Sequence, residues 1–299
     1  MLYQIADGTV SLGGVEVLSH IDFEIKGTEK IAVTGINGAG KTTLLRLLAG
    51  ELKLDRDDKR QGPGIWMSRR LTVEMLGQKA FRDLSRTVEE ELLESCPEKE
   101  EFGTERFAYE KEYDKLFMGF GFGREEKRKR LSEFSGGEQT KIALIRLLLE
   151  KPDVLLLDEP TNHLDVETVE WLEHYLKEYK KAVVMVSHDR FFLDRTAEVV
   201  YELADRRLTR YPGNYTDYRQ EKLKNIRIQR KAYERQQEEI KRLNQVIERF
   251  KHKPTKAAFA RSKKKAVERM VRVEKPREDE AHLFTGDITP ESLGSKWVL

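Results

Sequence analysis

The sequence predicts an α/β domain built on a mostly parallel sheet, followed by an antiparallel α-helical hairpin. Up to about residue 210, short β-branched or Leu-rich runs such as IAVTG, DVLLLD and AVVMVSH alternate with longer helical patterns. This alternation is typical of parallel strands joined by crossover helices. Beyond it, apolar residues recur at heptad spacing in two stretches, which favours two packed helices. We therefore expect a domain over 1–210 and a hairpin over 211–278.

Composition limits the class of protein. The chain has 299 residues, of which 38% are hydrophobic, enough for one α/β domain with an attachment. No apolar run approaches the roughly 18–20 residues that span a bilayer, and the start MLYQIADG lacks a signal-peptide pattern. The single cysteine, Cys96, excludes an internal disulfide and fits a reducing compartment. We expect a cytoplasmic protein without a membrane partner.

The net charge of +2 conceals a strong asymmetry along the chain. Residues 219–278 contain 21 Lys and Arg against 8 Asp and Glu, a net charge of +13. The rest of the chain holds 34 basic and 45 acidic residues, a net charge of −11. A solvated coiled-coil spacer normally carries balanced charges, so this segregation favours a polyanion-binding appendage on an acidic body.

The stretch GINGAGKT fits the phosphate-binding pattern G-x-x-x-x-G-K-[ST] in its structural context. The strand IAVTG precedes it, and the helix TTLLRLLAG follows and stops at Gly50. Backbone N–H groups and the helix N-terminus would bind phosphates, Lys41 would reach the β- and γ-phosphates, and Thr42 could hold Mg²⁺. The alternative is a chance Gly-rich turn. The predicted nucleotide-binding residues are Gly35, Ile36, Asn37, Gly38, Ala39, Gly40, Lys41, Thr42 and Thr43.

Two adjacent acids, Asp158 and Glu159, end the buried-looking strand in DVLLLDEP. In P-loop NTPases the first acid of such a pair holds Mg²⁺, directly or through water. The second can orient the attacking water or accept its proton. A surface acid beside a turn-forming proline is the alternative interpretation of Glu159, since acid pairs are common at strand ends.

Two further polar residues are candidates for contact with the γ-phosphate. His188 follows the strand AVVMV, which places it at the carboxyl edge of the sheet, where ligands bind in open α/β folds. Taken alone, a structural histidine is the alternative. Gln78, in MLGQ, gives a weaker signal, because an exposed glutamine is usually only solvated.

Two helical patterns within residues 81–134 predict a helical subdomain there. Thr87 opens TVEEELLESC with Glu90 three positions on, a capping box, and Pro97 ends that helix. The second helical pattern is TERFAYEKEYDKLF.

A second capping box, Ser135 with Glu138, starts the amphipathic helix that follows. Gly136 and Gly137 let an anion approach the free N–H groups of its first turn. A capped helix start needs no ligand, yet two glycines cost of order 1 kcal/mol each within a helix. Their presence indicates a functional reason.

The basic segment carries two heptad stripes separated by a break near Pro254. Its bend, FKHKPTKAAFARSKKK, combines basic residues with Phe250 and Phe259, which suits phosphates and unstacked bases. Phe259 also falls on the second stripe, so core packing is its alternative role, and we expect the second helix to end at Pro276. The stripes comprise Ile226, Tyr233, Ile240, Leu243, Ile247 and Phe250 in the first helix and Phe259, Ala266 and Val273 in the second.

The ordered set GINGAGKT, Gln78, LSEFSGGEQ, LLLDEP, TNHLD and SHDR resembles the ATP-binding cassette family over about residues 1–210. The resemblance implies a P-loop NTPase fold that binds ATP and Mg²⁺ and hydrolyses ATP. It assigns Glu159 as the catalytic carboxylate and Gln78 and His188 as γ-phosphate sensors. It also implies that Thr42, Gln78 and Asp158 serve the metal, and that Ser135, Gly136, Gly137, Glu138 and Asp165 contact nucleotide.

In that family two cassettes meet head to tail, and the signature motif of each caps the nucleotide on the other's P-loop. The resemblance therefore implies a second cassette, in a full-length chain or by homodimerisation, and weak hydrolysis by one cassette alone. Leu12 stands where the family commonly has a base-stacking tyrosine, so base selectivity is expected to be loose.

Within the family, TNHLD, SHDRFFLD and YPGNY followed by a basic hairpin resemble the ABC-F group. Those proteins join two cassettes by a hairpin that enters the ribosomal exit-tRNA site and contacts the P-site tRNA. The resemblance implies a ribosome partner, with rRNA and P-site tRNA bound through 211–278. It makes 279–299 the start of a truncated second cassette.

The short stretch 51–77 replaces the helical arm of many ABC-F translation factors, which favours the ribosome-protection type associated with antibiotic resistance. Two other functions remain open. The cassette alone is compatible with the ATPase subunit of a membrane transporter, and the basic hairpin with a nonhydrolytic RNA-binding module.

Overall fold

A computed structural model describes residues 1–55, 64–76, 81, 83–97, 103–162, 164–251 and 254–276. Its first compact unit covers Met1–Thr216, and a second begins at Asp217. None of the helices in these ranges combines the length and the apolar character needed to cross a membrane. The stretch 279–299, expected to start a second cassette, lies outside the described residues, and the domain limits at 210 and 278 stay predictions.

The first unit contains two sheets. The strands are β1 (Tyr3–Leu12), β2 (Val15–Ile25), β3 (Lys30–Thr34), β4 (Ile65–Met67), β5 (Val73–Met75), β6 (Val154–Asp158), β7 (Ala182–Val186), β8 (Val199–Ala204) and β9 (Arg207–Pro212). An antiparallel sheet has the order β2-β1-β4, and a six-stranded sheet has the order β5-β6-β7-β3-β8-β9. The second sheet is parallel except for β9, which pairs antiparallel with β8. The predicted α/β fold class is confirmed.

Helices connect the strands and form the second unit. They are α1 (Lys41–Leu48), α2 (Val88–Glu94), α3 (Thr104–Gly119), α4 (Gly136–Glu150), α5 (Val166–Glu178), α6 (Arg190–Thr196), α7 (Tyr215–Phe250) and α8 (Ala257–Arg269). Short 3-10 turns cover Arg124–Arg128, Leu131–Glu133 and Pro254–Lys256. The predicted capping box of Thr87 with Glu90 is present at the start of α2.

The central parallel strands end at one edge of the sheet. Strands β6 and β7 are almost wholly apolar and buried, as expected for parallel strands covered on both faces. Their pairing sets Asp158 opposite Val186, and β3 pairs with the other side of β7, with Val33 opposite Val186. The loops that follow β3, β6 and β7 therefore leave the sheet side by side.

A shared carboxylate joins the predicted helical subdomain, 81–134, to the helix α4 that follows it. Glu91 of α2 is 6% exposed, and its two oxygens accept from Arg86 at 2.8 Å and from Arg146 of α4 at 2.6 Å. Removing one partner of such a buried pair leaves an uncompensated charge. This network fixes α4 against α2.

The second unit is a helical hairpin whose small core contains Ile240, Leu243 and Val267. The predicted stripe on the second helix is wrong by one position. Ala260 and Val267 are buried, whereas Phe259 is 48% exposed and Ala266 is exposed. The expectation assumed a helix reaching Pro276, but α8 ends at Arg269, and Val273 lies beyond it.

The stretch after α8 runs back along α7 in an extended form. The side-chain amide of Gln236 donates to the carbonyl oxygen of Val271 at 2.7 Å and accepts from the N–H of Val273 at 2.8 Å. Gln229 donates to the carbonyl oxygen of Glu274 at 3.1 Å. Beyond the end of α8, hydrogen bonds from two glutamines of α7, and not apolar side chains, hold the chain against α7.

A buried lysine, Lys30, begins β3 at the edge of the sheet opposite the carboxyl ends of the strands. Lys30 is 4% exposed, and its ammonium donates to the carbonyl oxygens of Thr28, Tyr179 and Lys181 at 2.8–2.9 Å. Burial lowers the pKa of Lys30. The strand that leads into the P-loop is thereby fixed to the end of α5 and the start of β7.

We expect Lys30→Met to lower the free energy of unfolding by about 2–4 kcal/mol, because buried carbonyl oxygens would lose their donor. The measurement is urea unfolding followed by circular dichroism. Lys180→Met, at an exposed lysine of the same loop, is the control and should change stability by less than about 0.5 kcal/mol. Equal stability of the two variants would contradict this account.

Candidate active site

The Gly-rich loop is shaped by contacts that exclude side chains at two of its glycines. A Cβ atom at Gly35 would lie 2.5 Å from the carbonyl oxygen of Leu203. Gly40 has φ 108°, and a Cβ there would lie 2.9 Å from a methyl carbon of Val17. Both positions therefore require glycine, and the loop passes directly into α1 at Lys41.

Lys41 is held over this loop. Its ammonium donates to the carbonyl oxygens of Gly35 at 2.9 Å and Ile36 at 3.2 Å. Burial lowers the pKa of Lys41, and the nearby carboxylates of Glu159 and Asp158 partly oppose that shift. The charge of Lys41 thus lies within the field of both acids at the end of β6.

Thr42 and Asp158 present oxygens side by side. The Thr42 hydroxyl donates to Asp158 Oδ2 at 2.7 Å. Within the described residues, no group of three or more His, Cys, Asp or Glu side chains could hold a metal ion. Mg²⁺ in nucleotide sites takes few protein oxygens and completes its shell with phosphates and water, so this pair fits Mg²⁺.

Glu159 is held in an unusual backbone conformation at the same edge. Its φ is 50°, a left-handed value that non-glycine residues rarely adopt. Its N–H donates to the carbonyl oxygen of Val186 at 2.9 Å, and its Oε2 accepts from the N–H of His188 at 3.0 Å. The His188 ring nitrogen Nε2 lies 3.4 Å from Glu159 Oε1. The structure therefore brings Glu159 and His188 together.

A pair of hydroxyls beside these residues was not predicted from the sequence. The oxygens of Thr161 and Ser187 lie 3.1 Å apart, and Ser187 also accepts from the N–H of Asp189 at 3.0 Å. Asp189 caps α6. The available signal was a small hydroxyl residue after each of two neighbouring strands, but only the strand order shows that they meet.

Ser135 and Glu138 form the predicted capping box at the start of α4. The Ser135 hydroxyl donates to Glu138 Oε2 at 2.7 Å, and the Ser135 N–H donates to the same oxygen at 2.8 Å. These bonds lower the pKa of Glu138. Among the described residues, no hydrogen bond or ion pair joins Ser135, Gly136 or Glu138 to the P-loop. Within one chain, the start of α4 and the P-loop therefore do not form a single site.

Gly136 has no internal reason to be glycine. A Cβ atom added there would meet nothing within 4 Å, and its φ is not positive. Glycine is nevertheless a weaker helix former than alanine, by about 1 kcal/mol in a helix interior, and Gly136 begins α4. The cost is consistent with a close approach from outside the chain.

Asp165 joins two helices. One oxygen caps α5 by accepting from the Thr168 N–H at 2.9 Å and the Thr168 hydroxyl at 2.8 Å. The other accepts from Lys141 of α4 at 2.9 Å. These bonds hold the pKa of Asp165 well below its usual range. Asp165 thereby connects the helix that begins at Gly136 with the loop after Glu159.

The remaining predicted residues have simpler positions. Ile36 is 69% exposed at the tip of the Gly-rich loop. Leu12 is 39% exposed and pairs with Val15 at the β1–β2 turn, so an exposed apolar side chain lies where the family commonly has a tyrosine. Gln78 lies outside the described residues. Its assignment to the γ-phosphate and the metal stays a prediction.

Comparisons with known proteins agree with this geometry. A family model described as ABC transporter matches residues 18–162, and a second, also described as ABC transporter, matches residues 201–284.

Three curated relatives match most of this chain. YdiF of Bacillus subtilis is 34% identical over 98% of this chain and 50% of its own length. ABC transporter F family member 2 of Arabidopsis thaliana is 34% identical over 80% of the chain and 40% of its own length. YheS of Escherichia coli K12 is 32% identical over 94% of the chain and 47% of its own length. The chain spans about half the length of the curated relatives it matches.

Solved structures share the fold. The ATP-binding subunit of an ABC transporter has a TM-score of 0.60 at 20% identity and covers 71% of this chain and 90% of its own. A dimeric, post-hydrolysis ATP-binding cassette with ADP and Pi has a TM-score of 0.56 at 20% identity, covering 71% and 98%. The chain therefore belongs to the ATP-binding cassette family of P-loop ATPases, with relatives in its F group.

Proposed function

We propose that this protein is an ABC-F type ATPase that binds the ribosome through its basic hairpin and modulates translation. The observation that carries the proposal is a segment of net charge +13 in a chain whose other residues, the nucleotide-binding cassette among them, have a net charge of −11. A cassette alone would suit many functions. A self-repelling hairpin is stabilised by an anionic partner, and ribosomal RNA supplies one.

The cassette residues suit hydrolysis of ATP by attack of water. Lys41 would donate to the β- and γ-phosphates, and the carboxylate of Glu159 would orient the water and accept its proton. The imidazole of His188, whose side chain is 63% exposed, would contact the γ-phosphate, with Gln78 as a second contact. Bound by Thr42, Asp158 and Gln78, Mg²⁺ would neutralise phosphate charge.

A second cassette would complete the site. The exposed Ser135 hydroxyl and the open space at Gly136 suit a nucleotide held by another cassette's P-loop, together with Gly137, Glu138 and Asp165. That cassette would come from a longer chain or from a second copy of this one. We expect this chain alone to bind ATP and to hydrolyse it poorly unless it self-associates.

The 13 residues of α8 carry five basic side chains, four of them exposed, against a single acid, Glu268. Only one ion pair within α8 relieves this charge among the described residues, Lys264 with Glu268 at 3.9 Å. The basic residues are Arg261, Lys263, Lys264, Lys265 and Arg269. Such a surface is suited to a row of phosphates.

Aromatic rings and cations alternate at the bend of the hairpin. Phe250 and Phe259 meet edge to face with ring centres 6.3 Å apart. The ammonium of Lys256 lies 4.8 Å from the centre of the Phe250 ring, and that of Lys263 lies 5.5 Å from the Phe259 ring. With half of Phe259 exposed, the bend supports binding of an unstacked base between phosphates. We infer contact with rRNA and P-site tRNA.

The short stretch 51–77 leaves no room for the helical arm of many ABC-F translation factors. It therefore favours ribosome protection, the type associated with antibiotic resistance. A drug-susceptibility assay of cells expressing the protein tests it. The transporter alternative requires association with membrane partners, and the basic hairpin offers no reason for it. Salt-sensitive cosedimentation with ribosomes, against association with membranes, separates the two.

We expect Glu159→Gln to lower ATP turnover by about 100-fold or more, because the general base would lose its charge. ATP binding should persist, so the variant should accumulate in the ATP-bound state. Turnover is followed by phosphate release and binding by equilibrium dialysis. Glu178→Gln, at an exposed carboxylate ending α5, is the matched control with unchanged turnover. Unchanged turnover in Glu159→Gln would refute the assigned role.

The charge of α8 should determine how ribosome binding depends on salt. We expect replacement of Lys263, Lys264 and Lys265 by alanine to reduce the slope of log affinity against log salt by about 2, since each phosphate contact contributes roughly 0.7–0.9. Cosedimentation at several salt concentrations measures the slope. Replacement of Lys115, Lys177 and Lys180, three exposed lysines of the cassette, removes equal charge and should leave the slope unchanged. Equal slopes in both triple variants would contradict RNA contact by α8.

A further inference from the structure

We propose that Thr161 and Ser187 form a hydroxyl pair that positions Glu159 and His188 relative to one another. Thr161 lies two residues after Glu159, and Ser187 lies immediately before His188. The inference rests on the proposed function, because it concerns hydrolysis at that site. It adds two positioning residues, which act through Glu159 and His188.

The two hydroxyl oxygens lie 3.1 Å apart, within hydrogen-bonding distance. Ser187 is 8% exposed and Thr161 is partly buried, so water competes little for this bond. The Ser187 oxygen also accepts from the N–H of Asp189 at 3.0 Å. One hydroxyl can donate once and accept twice, so both bonds form together. The pair therefore ties the loop after β6 to the start of α6.

The hydroxyl pair lies beside Glu159, whose backbone conformation must be stabilised by its neighbours. Glu159 has φ 50°, and such a conformation persists only where the surroundings hold it. Three other bonds hold it: the Glu159 N–H donates to the Val186 carbonyl oxygen at 2.9 Å, the Asn162 N–H donates to the Glu159 carbonyl oxygen at 3.2 Å, and the His188 N–H donates to Glu159 Oε2 at 3.0 Å. All three involve Glu159 directly. The hydroxyl pair joins the same two loops without Glu159, so it can be removed with the catalytic carboxylate intact.

The geometry gives the pair a catalytic consequence. Strands β6 and β7 place Asp158 opposite Val186, so their loops start from a fixed register. Beyond the sheet, only side-chain and loop bonds keep the carboxylate of Glu159 beside the His188 N–H. A displacement of about 1 Å at a reacting group can cost about 100-fold in rate, so loss of one bond should lower kcat measurably.

Steady-state ATP hydrolysis by the purified protein gives the first test. We expect Thr161→Val and Ser187→Ala each to lower kcat by about three- to tenfold, with the KM for ATP changed by less than about twofold. The double variant should be no worse than the poorer single variant, since the two residues act through one bond. Thr161→Ser keeps the hydroxyl and should retain most of the activity.

Thr196→Val is the matched control. Thr196 is 3% exposed in α6, and its hydroxyl donates to the Phe192 carbonyl oxygen at 2.6 Å. The substitution removes a buried hydroxyl at the far end of α6 but no bond between the two loops. It should lower stability and leave kcat unchanged. If Thr196→Val lowered kcat as much as Thr161→Val does, general destabilisation would explain both losses. That result would overturn the proposal.

Amide hydrogen exchange gives a readout that does not require turnover. The His188 N–H donates to Glu159, so its exchange reports directly on the position of the carboxylate. We expect exchange at His188 to be about tenfold faster in Thr161→Val and unchanged in Thr161→Ser and Thr196→Val.

The two measurements separate failure of this inference from failure of the proposed function. Unchanged exchange at His188 in Thr161→Val would overturn the tie whatever the turnover. Faster exchange with normal kcat, while Glu159→Gln is inactive, would leave the tie without a catalytic role and overturn the positioning. If Glu159→Gln also keeps full turnover, the proposed hydrolytic role of Glu159 fails, and the positioning role fails with it.

Discussion

The parallel pairing of β6 with β7 sets Asp158 opposite Val186 and so determines where Asp158, Glu159 and His188 lie at the edge of the sheet. Because β3 pairs with the other side of β7, the P-loop leaves the sheet beside the same edge. Thr42 then reaches Asp158, and Glu159 reaches the His188 N–H. A change of one residue in that register would separate these pairs, since successive side chains of a strand point to opposite faces.

Local features of this site could be predicted from the sequence. The P-loop follows from a pattern of eight residues between a strand and a helix, and the capping box of Ser135 with Glu138 spans four. The three carbonyl contacts of Lys30 could not be predicted, because Tyr179 and Lys181 reach it only through the strand order. The hydroxyl pair of Thr161 and Ser187 has the same cause, since 26 residues separate its members.

The hairpin shows a different limit of sequence reasoning. Its first helix follows the predicted stripe through Ile240, whereas the second was assigned one position away from Ala260 and Val267. Apolar and small residues at 259 and 260 allowed either register, and the expected helix continued beyond its actual end at Arg269. The glutamine contacts to 271–274 could not be inferred from periodicity, because the chain there is not helical.

The chain joins a basic segment, 219–278, to a cassette in the net acidic remainder of the sequence. The central claim is that the nucleotide bound by the cassette controls the binding of a polyanion by the basic segment. The acidic cassette holds the nucleotide site, the basic hairpin offers an exposed phenylalanine among cations, and Gly136 leaves room for a second nucleotide-bearing surface. The most direct test is sedimentation of the purified protein with ribosomes in the presence of ATP or ADP. The account predicts that ATP increases the ribosome-bound fraction and ADP does not, whereas equal binding in both nucleotides would contradict it.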